Sequence, residues 1–505
     1  MLLALRGLEP TLRGELNSPL SGVVEDSRRV VEGSLFVVRR GQNYDGRAYV
    51  AAAERAGAGA LLTSTEIAES NLPQIVVSDI GVALGRLAQL FAGDPSATLP
   101  VLAVTGTNGK TTTTCLVEQA LRHLGRSPAR IGTLGFFIQG ELIEETLTTP
   151  SAVDLAQMLA SARRALASEV VMEVSSHALV QSRVEGVHFA AAGLTNLTQD
   201  HLDFHGSMAA YGDAKSRLFF EHAPKNAVLN ADDPLGRNII ERWLRGEGPH
   251  GARLIRYSSR SSSSDLGRGA RSAAEISVGR AEFGASGLRA ELDVCGQRCS
   301  LASPLLGAHN LENLLLSLGF LRALEIPTDA ALDALGRVEM ARGRLERVSS
   351  NEDDIQVLVD YAHTPDALER ALMALGETGA RPLWCIFGCG GDRDRTKRPL
   401  MGEIAARLAD RATVTSDNPR SEDPAFIAEQ ILDGVAQAHR DHVELELDRK
   451  RAIDAAIEGA SPGTTLLIAG KGHETYQLIG KEKLSFDDAE VARAALSLRR
   501  AKVSS

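Results

Sequence analysis

At 505 residues the chain is long enough for two to four domains of roughly 100–200 residues each, and with 44% apolar side chains each can bury its own core. A net charge of −10 argues against a nucleic-acid coat or an anionic membrane partner, yet leaves room for small anionic substrates, which need only a local cluster of cations. Five scattered cysteines (Cys115, Cys295, Cys299, Cys385 and Cys389) suit a reducing cytosol rather than a disulfide framework. Cys295 and Cys299 read as hairpin neighbours, because no second Cys/His pair accompanies them. No apolar run approaches the ~18 residues of a membrane span. Met1–Arg6 is too short and too soon charged for a signal peptide. The expectation is a cytoplasmic protein with no membrane insertion and no nucleic-acid partner.

In chain order, residues 1–97 read as a small α/β unit. Its strands are Ser34–Val38, Gly59–Thr63 and Gln74–Ser78, its helices Arg47–Ala56 and Gly81–Phe91, and Gly93–Ser96 is a linker. Residues 98–326 alternate strands (Val101–Val104, Val170–Glu173, Ala190–Leu197, Ala227–Asn230) with helices (Lys110–Leu124, Val153–Ala167, Tyr211–Phe220). That alternation predicts a P-loop-like, mostly parallel sheet with helices on both faces. Ile276–Val278, Leu288–Val294 and Arg298–Leu301 read as a small antiparallel sheet, Ser258–Ser264 as a mobile loop and His309–Leu324 as a helix. Residues 327–505 restart the alternation with strands Gln356–Tyr361, Leu383–Phe387, Ala412–Ser416 and Thr465–Ile468, a Rossmann-like α/β domain. The fold class is α/β in three domains, with functional groups where strands end.

Three elements between residues 100 and 216 carry phosphate-and-metal chemistry. The first is Val104-Thr-Gly-Thr-Asn-Gly-Lys-Thr-Thr112, directly after an apolar run. It departs from the standard P-loop, whose first glycine would stand at Val104. The mechanism survives: Gly106 and Gly109 let the backbone wrap, Lys110 reaches phosphate oxygens, and Thr111 can ligate Mg²⁺. The second is Glu173-Val-Ser-Ser-His177, where an acid ends a buried strand. Alone, Glu173 fits either a buried ion pair or a metal site. The third is Asn196 to Gly206 with Asp200, His201, Asp203 and His205, followed by Tyr211-Gly-Asp-Ala-Lys215. Behind a P-loop-like element, Glu173 and His201 read together as ligands of one Mg²⁺. Lys215 is either a surface lysine on an amphipathic helix or, once carbamylated by CO₂, a further oxygen ligand.

The last unit adds Asp360-Tyr-Ala-His363-Thr-Pro-Asp366, the glycine- and charge-rich run Gly388 to Pro399 with Arg393, the turn Asp417-Asn418-Pro419-Arg420, and Gly470-Lys-Gly-His-Glu474. A rigid Asn-Pro turn would aim a carboxylate and a guanidinium in fixed directions, as a zwitterionic amino-acid end requires.

Taken together, the motifs Thr-Gly-Thr-Asn-Gly-Lys-Thr, Glu-Val-Ser-Ser-His, Asn-Leu-Thr-x-Asp-His-Leu-Asp-x-His-Gly, Ala-Lys-x-x-Leu-Phe, His309-Asn310-x-x-Asn313, Gly343-Arg344 and Asp-Tyr-Ala-His-Thr-Pro resemble those of the Mur ligases of peptidoglycan synthesis, over nearly the whole chain. Asp417 to Arg420 resembles the amino-acid motif of the members that add meso-diaminopimelate to UDP-N-acetylmuramoyl-L-Ala-D-Glu. The resemblance implies ATP binding by Gly106, Thr107, Asn108, Gly109, Lys110, Thr111 and Thr112, with Asn310, Arg344 and Asp360 across the cleft. It implies a carbamylated Lys215, with Thr111, Glu173 and His201 on Mg²⁺, and catalytic roles for Lys110, Lys215 and His201. The UDP-substrate would meet Glu25, Ser27, Gln42, Asn43, Tyr44, Thr148, Thr149, Ser175, Gln181 and Arg183. Leu147, where a polar side chain would be expected, can offer only backbone. Diaminopimelate would meet Arg393, Asp417, Asn418, Pro419, Arg420, Gly470 and Glu474. The implied assignment is 1–97 to the UDP-substrate, 98–326 to ATP and 327–505 to the amino acid, in a monomer. Two other readings stay open: a lysine-adding or folylpolyglutamate synthetase-like ligase, and a nucleotide-driven switch ATPase.

Overall fold

The computed structural model describes residues 3–16, 18–40, 45–260, 274–284, 287–350 and 352–503. Apolar strands that alternate with helices assemble into three large sheets. The first has five strands in the order Thr11–Arg13, Gln74–Val76, Ala58–Thr63, Ser34–Val38, Gly22–Val24. Ser34–Val38 is buried along its whole length, as a parallel strand covered on both faces must be. Helix Ile80–Phe91 starts where the Asp79 carboxylate accepts the N–H groups of Gly81 and Val82. The helix expected from Arg47 begins later, at Val50, because Asp45 caps a 3-10 turn over Gly46–Tyr49.

The central sheet has eleven strands. Val101–Thr105 lies between Val170–Glu173 and Phe189–Leu194, parallel to both. The chain first fills the side of Val170–Glu173 and Ala129–Gly132, then crosses to Phe189–Leu194. The crevice at the carboxyl end of Val101–Thr105 is thus a topological switch point, where α/β sheets take ligands. Antiparallel strands extend both edges. Gly135–Ile138 and Glu141–Glu144 lie beyond Ala129–Gly132, and Gly287–Val294 and Gln297–Ser303 beyond Ile276–Gly284. The last group joins the same sheet through Tyr257↔Ile276. Ser258 does not open a loop. It ends strand Arg253–Ser258, and its hydroxyl donates to Asp232 Oδ1 at 3.0 Å. Residues 261–273, which include the end of the expected loop, lie outside the described residues.

The third sheet orders six strands as Glu346–Arg347, Gln356–Asp360, Thr465–Ala469, Leu383–Phe387, Arg411–Val414, Val443–Leu445, all parallel beyond the first. Side chains tie the three sheets together. Arg29 pairs with Asp154 at 3.1 Å, and Asn108 Nδ2 donates to Asp366 Oδ2 at 2.7 Å. No helix is long and apolar enough to cross a membrane among the described residues.

The C-terminal helix Asp488–Val503 is anchored by a fully buried pair. Arg449 makes two 2.7 Å bonds to Asp488 and reaches the strand ends at Ala469 O (2.9 Å) and Ser416 O (3.4 Å). Removing one member of a buried pair leaves a naked charge. Asp488→Ala should therefore cost the C-terminal unit about 3–5 kcal/mol in a denaturant titration. A loss below about 1 kcal/mol would show that the pair carries little of the anchoring.

Candidate active site

Strand Val101–Thr105 empties into the turn at residues 106–109, and helix Lys110–His123 follows. Gly109 precedes the helix at φ 85°, where a Cβ would stand 2.4 Å from Asn313 Oδ1. The turn is held from the 196–201 segment: Thr107 N donates to Asn196 O (2.8 Å) and Asn108 N to Asn196 Oδ1 (3.1 Å). Lys110 Nζ folds back onto Gly106 O and Thr107 O, both at 2.9 Å. Lys215 Nζ reaches the same Gly106 O at 2.8 Å. Lys215 is 1% exposed, so the surface-lysine reading does not hold. Burial first, and then the charge of Lys110, push the Lys215 pKa well below the usual lysine value. Burial also lowers Lys110.

Glu173 is fully buried at the end of its strand. Its partners are neutral. Thr111 Oγ1 donates at 3.0 Å, Thr133 N at 2.8 Å and Thr133 Oγ1 at 3.2 Å. A plain ion pair is therefore not what holds it. His201 adopts φ 52° and lies against Asp200, with Nε2 3.3 Å from Oδ2. Its ring meets His177 edge-on at 4.9 Å. Burial, aided by Lys110 and Lys215, lowers its pKa to about 4. The ring is neutral at pH 7 and keeps a nitrogen lone pair.

From the far side Arg344 Nη2 donates to Thr111 Oγ1 at 3.2 Å, and its guanidinium lies over Tyr361 at 4.8 Å. Asp360 and Asn310 are more occupied than the sequence suggests. The Asp360 carboxylate accepts from Leu345 N (2.6 Å) and Ala362 N (2.8 Å), bracing the turn that carries Arg344. Asn310 Nδ2 donates to Leu306 O (2.8 Å), and Oδ1 accepts from Asn313 (3.1 Å). Thr112 is buried in the first turn of the loop helix.

Towards the N-terminal sheet, Thr149, Ser175, Gln181 and Arg183 form one cluster. Thr149 Oγ1 donates to Ser175 Oγ at 3.4 Å, Arg183 Nη1 to Thr149 O at 2.7 Å, and Arg183 Nη2 to Gln181 Oε1 at 2.6 Å. Glu25 faces Arg39 at 2.6 Å, a partner the sequence reading missed because nothing marks it among neighbouring arginines. Burial raises the Glu25 pKa against the pull of Arg39 and Arg183. Ser27 opens a 3-10 turn, Ser27–Arg29. Gln42, Asn43 and Tyr44 lie outside the described residues. Thr148 Oγ1 is 3.0 Å from Thr133 Oγ1, which links this side to Glu173. Leu147 is exposed beside it.

In the third sheet the expected amino-acid residues gather at the strand ends, with Arg393 exposed at the rim. Asn418 Nδ2 donates to Glu474 Oε2 at 2.8 Å. Buried Lys471, unassigned by sequence, donates to both Asn418 Oδ1 (3.1 Å) and Glu474 Oε2 (3.2 Å). Asp417 Oδ2 is buried without a partner, and lies 2.7 Å from where a Cβ on Gly470 would be. Pro419 and Arg420 continue the turn, and Arg420 Nη1 donates to Gly391 O at 2.8 Å. A buried unpaired carboxylate oxygen, a glutamate with one oxygen engaged and a guanidinium can meet ammonium and carboxylate groups at once.

A cleft of about 1110 Å³ joins the two walls, with Thr133 and Thr148 on one side and Tyr361, His473 and Glu474 on the other. A second cavity of about 640 Å³, lined by Arg29, Ser151 and Asp154, shares Glu145, Thr146 and Leu147 with it. Among the described residues no three His, Cys, Asp or Glu side chains form a metal cage. Magnesium does not need one, since it is usually held by one or two carboxylates plus waters and substrate phosphates. The hard oxygens of Thr111 and Glu173, 3.0 Å apart at the phosphate turn, fit that requirement.

Comparison with known proteins agrees with this architecture. The Mur ligase middle domain matches residues 104–321, and the Mur ligase glutamate ligase domain matches residues 343–472. The UDP-N-acetylmuramoyl-L-alanyl-D-glutamate--2,6-diaminopimelate ligase of Chromobacterium violaceum is 42% identical, covering 98% of both chains. The enzyme of that name from Synechococcus elongatus is 43% identical, covering 96% of this chain and 95% of its own. A solved structure of such a ligase superposes with a TM-score of 0.69 at 32% identity, covering 96% of this chain and 97% of its own. Folylpolyglutamate synthase of Mycobacterium tuberculosis, at 19% identity and a TM-score of 0.62 over 82% of this chain and 95% of its own, shares the fold. The chain belongs to the Mur ligase family.

Proposed function

We infer that this chain is an ATP-dependent ligase of peptidoglycan synthesis. It joins meso-2,6-diaminopimelate to the D-Glu γ-carboxylate of UDP-N-acetylmuramoyl-L-Ala-D-Glu, giving ADP and phosphate. Relatives 42% identical over nearly the whole chain carry this activity in their names. The observation that carries the reading is one cleft with Thr133 and Thr148 of the phosphate-loop side on one wall and Glu474 of the Asp417–Arg420 cluster on the other.

The proposed division of labour assigns the UDP-substrate to residues 1–97, ATP to 98–326 and the amino acid to 327–505. Every group the reaction requires comes from a single copy, which suits a monomer working on small soluble substrates. Five free cysteines suit the cytoplasm, where ATP and UDP-linked precursors are made. In the first step the γ-carboxylate oxygen attacks the γ-phosphorus of ATP, ADP leaves, and an acyl phosphate forms. Two anions must meet, so charge neutralisation and positioning dominate. Lys110 leaves its own loop carbonyls for phosphate oxygens, and the helix N-terminus adds backbone N–H groups. Arg344 arrives from the opposite sheet beside Thr111. Thr111 and Glu173, with His201, would hold Mg²⁺, which supplies Lewis-acid neutralisation of the phosphates when bound. In the second step the diaminopimelate nitrogen attacks the acyl carbon. The carbon–oxygen bond to phosphate breaks, phosphate leaves with that electron pair, and the nitrogen loses a proton. Contacts such as Asn108–Asp366 and Arg344–Thr111 keep the outer unit over the phosphate turn and exclude water from the acyl phosphate.

Lys215 is proposed to carry a CO₂-derived carbamate. The ammonium first releases one proton; the uncharged amine then attacks CO₂ with its lone pair, the nitrogen–carbon bond forms as one carbon–oxygen π bond opens onto oxygen, a second proton leaves the nitrogen, and the net change is from cation to anion. The depressed pKa and the shared Gly106 oxygen support this, since the reaction removes one of two crowded positive charges.

Two outcomes are expected. Arg420→Ala should raise the KM for diaminopimelate by about 30-fold or more, while the KM for ATP stays within about two-fold. Equal changes in both would remove Arg420 from amine recognition. Carbon-labelled bicarbonate should give a carbamate NMR signal in the wild-type chain that Lys215→Arg lacks, and activity should fall in CO₂-free buffer. A folded wild-type chain with full activity and no such signal would remove the modification from the mechanism.

A further inference from the structure

The loops that follow strands Leu383–Phe387 and Arg411–Val414 are zipped to each other. Gly391 N donates to Asn418 O at 2.9 Å, and Arg420 Nη1 returns a bond to Gly391 O at 2.8 Å. Asp392 N donates to Glu422 Oε1 at 2.6 Å, while Ser421 donates to Asp392 through N (3.1 Å) and Oγ (2.6 Å). The backbones run so close that a Cβ on Gly391 would stand 1.9 Å from Pro419 O. Arg420 itself sits at φ 51°, pinned by Arg420 N to Leu478 O (3.0 Å) and Gly480 N to Arg420 O (2.7 Å).

Beneath this unit lies Arg398, with no exposed surface. Its guanidinium grips Glu422 bidentately, Nη2 to Oε1 at 2.8 Å and Nη1 to Oε2 at 3.1 Å. Nη1 also donates to Gln430 Oε1 at 2.7 Å, and Nη2 to Gly390 O at 3.3 Å. The pair thus touches both loops, while neither member lines the cleft. One peptide further on, Gly391 O holds Arg420 Nη1 and sets the direction of the remaining guanidinium donors.

We propose that the Arg398–Glu422 pair is a specificity-determining positioning element: by fixing residues 390–391 against 418–422 it aims Arg420 and so favours an amine substrate that bears a second carboxylate. The role rests on the functional reading above. An arginine–carboxylate bond depends on the direction of the guanidinium fork, and a fork held in place loses less entropy when the ligand arrives. A substrate without that carboxylate does not use the fork and is indifferent to its aim.

The test compares full-length wild type, Glu422→Gln and Arg398→Lys by phosphate release with ATP and UDP-muramoyl dipeptide. Diaminopimelate or concentrated L-lysine serves as the amine, and circular dichroism checks folding. Glu422→Gln should lower kcat/KM for diaminopimelate about tenfold, leaving the lysine rate and the KM for ATP unchanged. Arg398→Lys keeps the charge and loses the fork, and should act in the same direction. In an Arg420→Ala background Glu422→Gln should add nothing, because both act through one guanidinium. If Arg398→Lys does not fold, Glu422→Gln and the double variant decide. Equal losses with both amines, full additivity with Arg420→Ala, or unchanged discrimination in a folded variant would overturn the positioning role alone. A wild-type chain that does not use diaminopimelate would instead sink the functional reading, and this role with it.

Discussion

The carbonyl oxygen of Gly106 accepts one hydrogen bond from Lys110 at 2.9 Å and another from Lys215 at 2.8 Å. Two lysine nitrogens on one oxygen, Lys215 fully buried and Lys110 part-buried, crowd each other, and each is biased towards losing its proton or gaining an anion. Much of the site's chemistry follows from that crowding. ATP phosphates would relieve it at Lys110, and a carbamate would relieve it at Lys215. The turn itself is braced by Asn196, whose carbonyl and side-chain oxygens accept the N–H groups of Thr107 and Asn108.

Around this centre a polar chain crosses the cleft. It runs from Thr148 to Thr133, to Glu173, to Thr111 and to Arg344 on the opposite sheet. Glu173 is its hub. A buried carboxyl group held by hydroxyls and an amide, with no cation hydrogen-bonded to it, leaves oxygen lone pairs at the mouth of the phosphate turn. That is a suitable place for a divalent cation and a poor one for a lone protein cation, which would block the site. Asp360 and Asn310 also brace their surroundings. Their bonds to Leu345 N, Ala362 N and Leu306 O brace the turn that carries Arg344 and the start of helix Ala308–Ala323, and leave acceptor and donor capacity for the expected nucleotide contacts.

The same division recurs in the third sheet. Among the residues proposed to face substrate, the charged Asp417, Arg420 and Glu474 are held in place by the fold. Each is steadied by a partner in the fold, namely the Asn418 N–H on Asp417 Oδ1, Gly391 for Arg420, and Lys471 with Asn418 for Glu474. A charged group held in one direction discriminates between ligands better than a mobile one, because the cost of ordering it is already met on folding.

Strand–turn–helix alternation made the α/β class, the phosphate turn and the strand-end location of the site readable from the sequence, because period, glycine and charge placement are local signals. Glu173 after an apolar run and the Asp417–Arg420 turn were legible for that reason. The strands Gly135–Ile138 and Glu141–Glu144 were not, since each has only four residues, too few to set a period. Nor could sequence choose between a surface and a buried Lys215. That depended on helix Met208–Phe220 packing its lysine against a turn 109 residues away. Arg39 beside Glu25, Asp366 on Asn108 and Arg398 beneath Glu422 join segments with no sequence signal linking them. The sequence by itself determined which chemical groups exist and which turns present them. Only the tertiary structure decided which of them share an oxygen, a cleft or a buried partner, because burial and proximity across sheets depend on packing rather than on neighbouring residues.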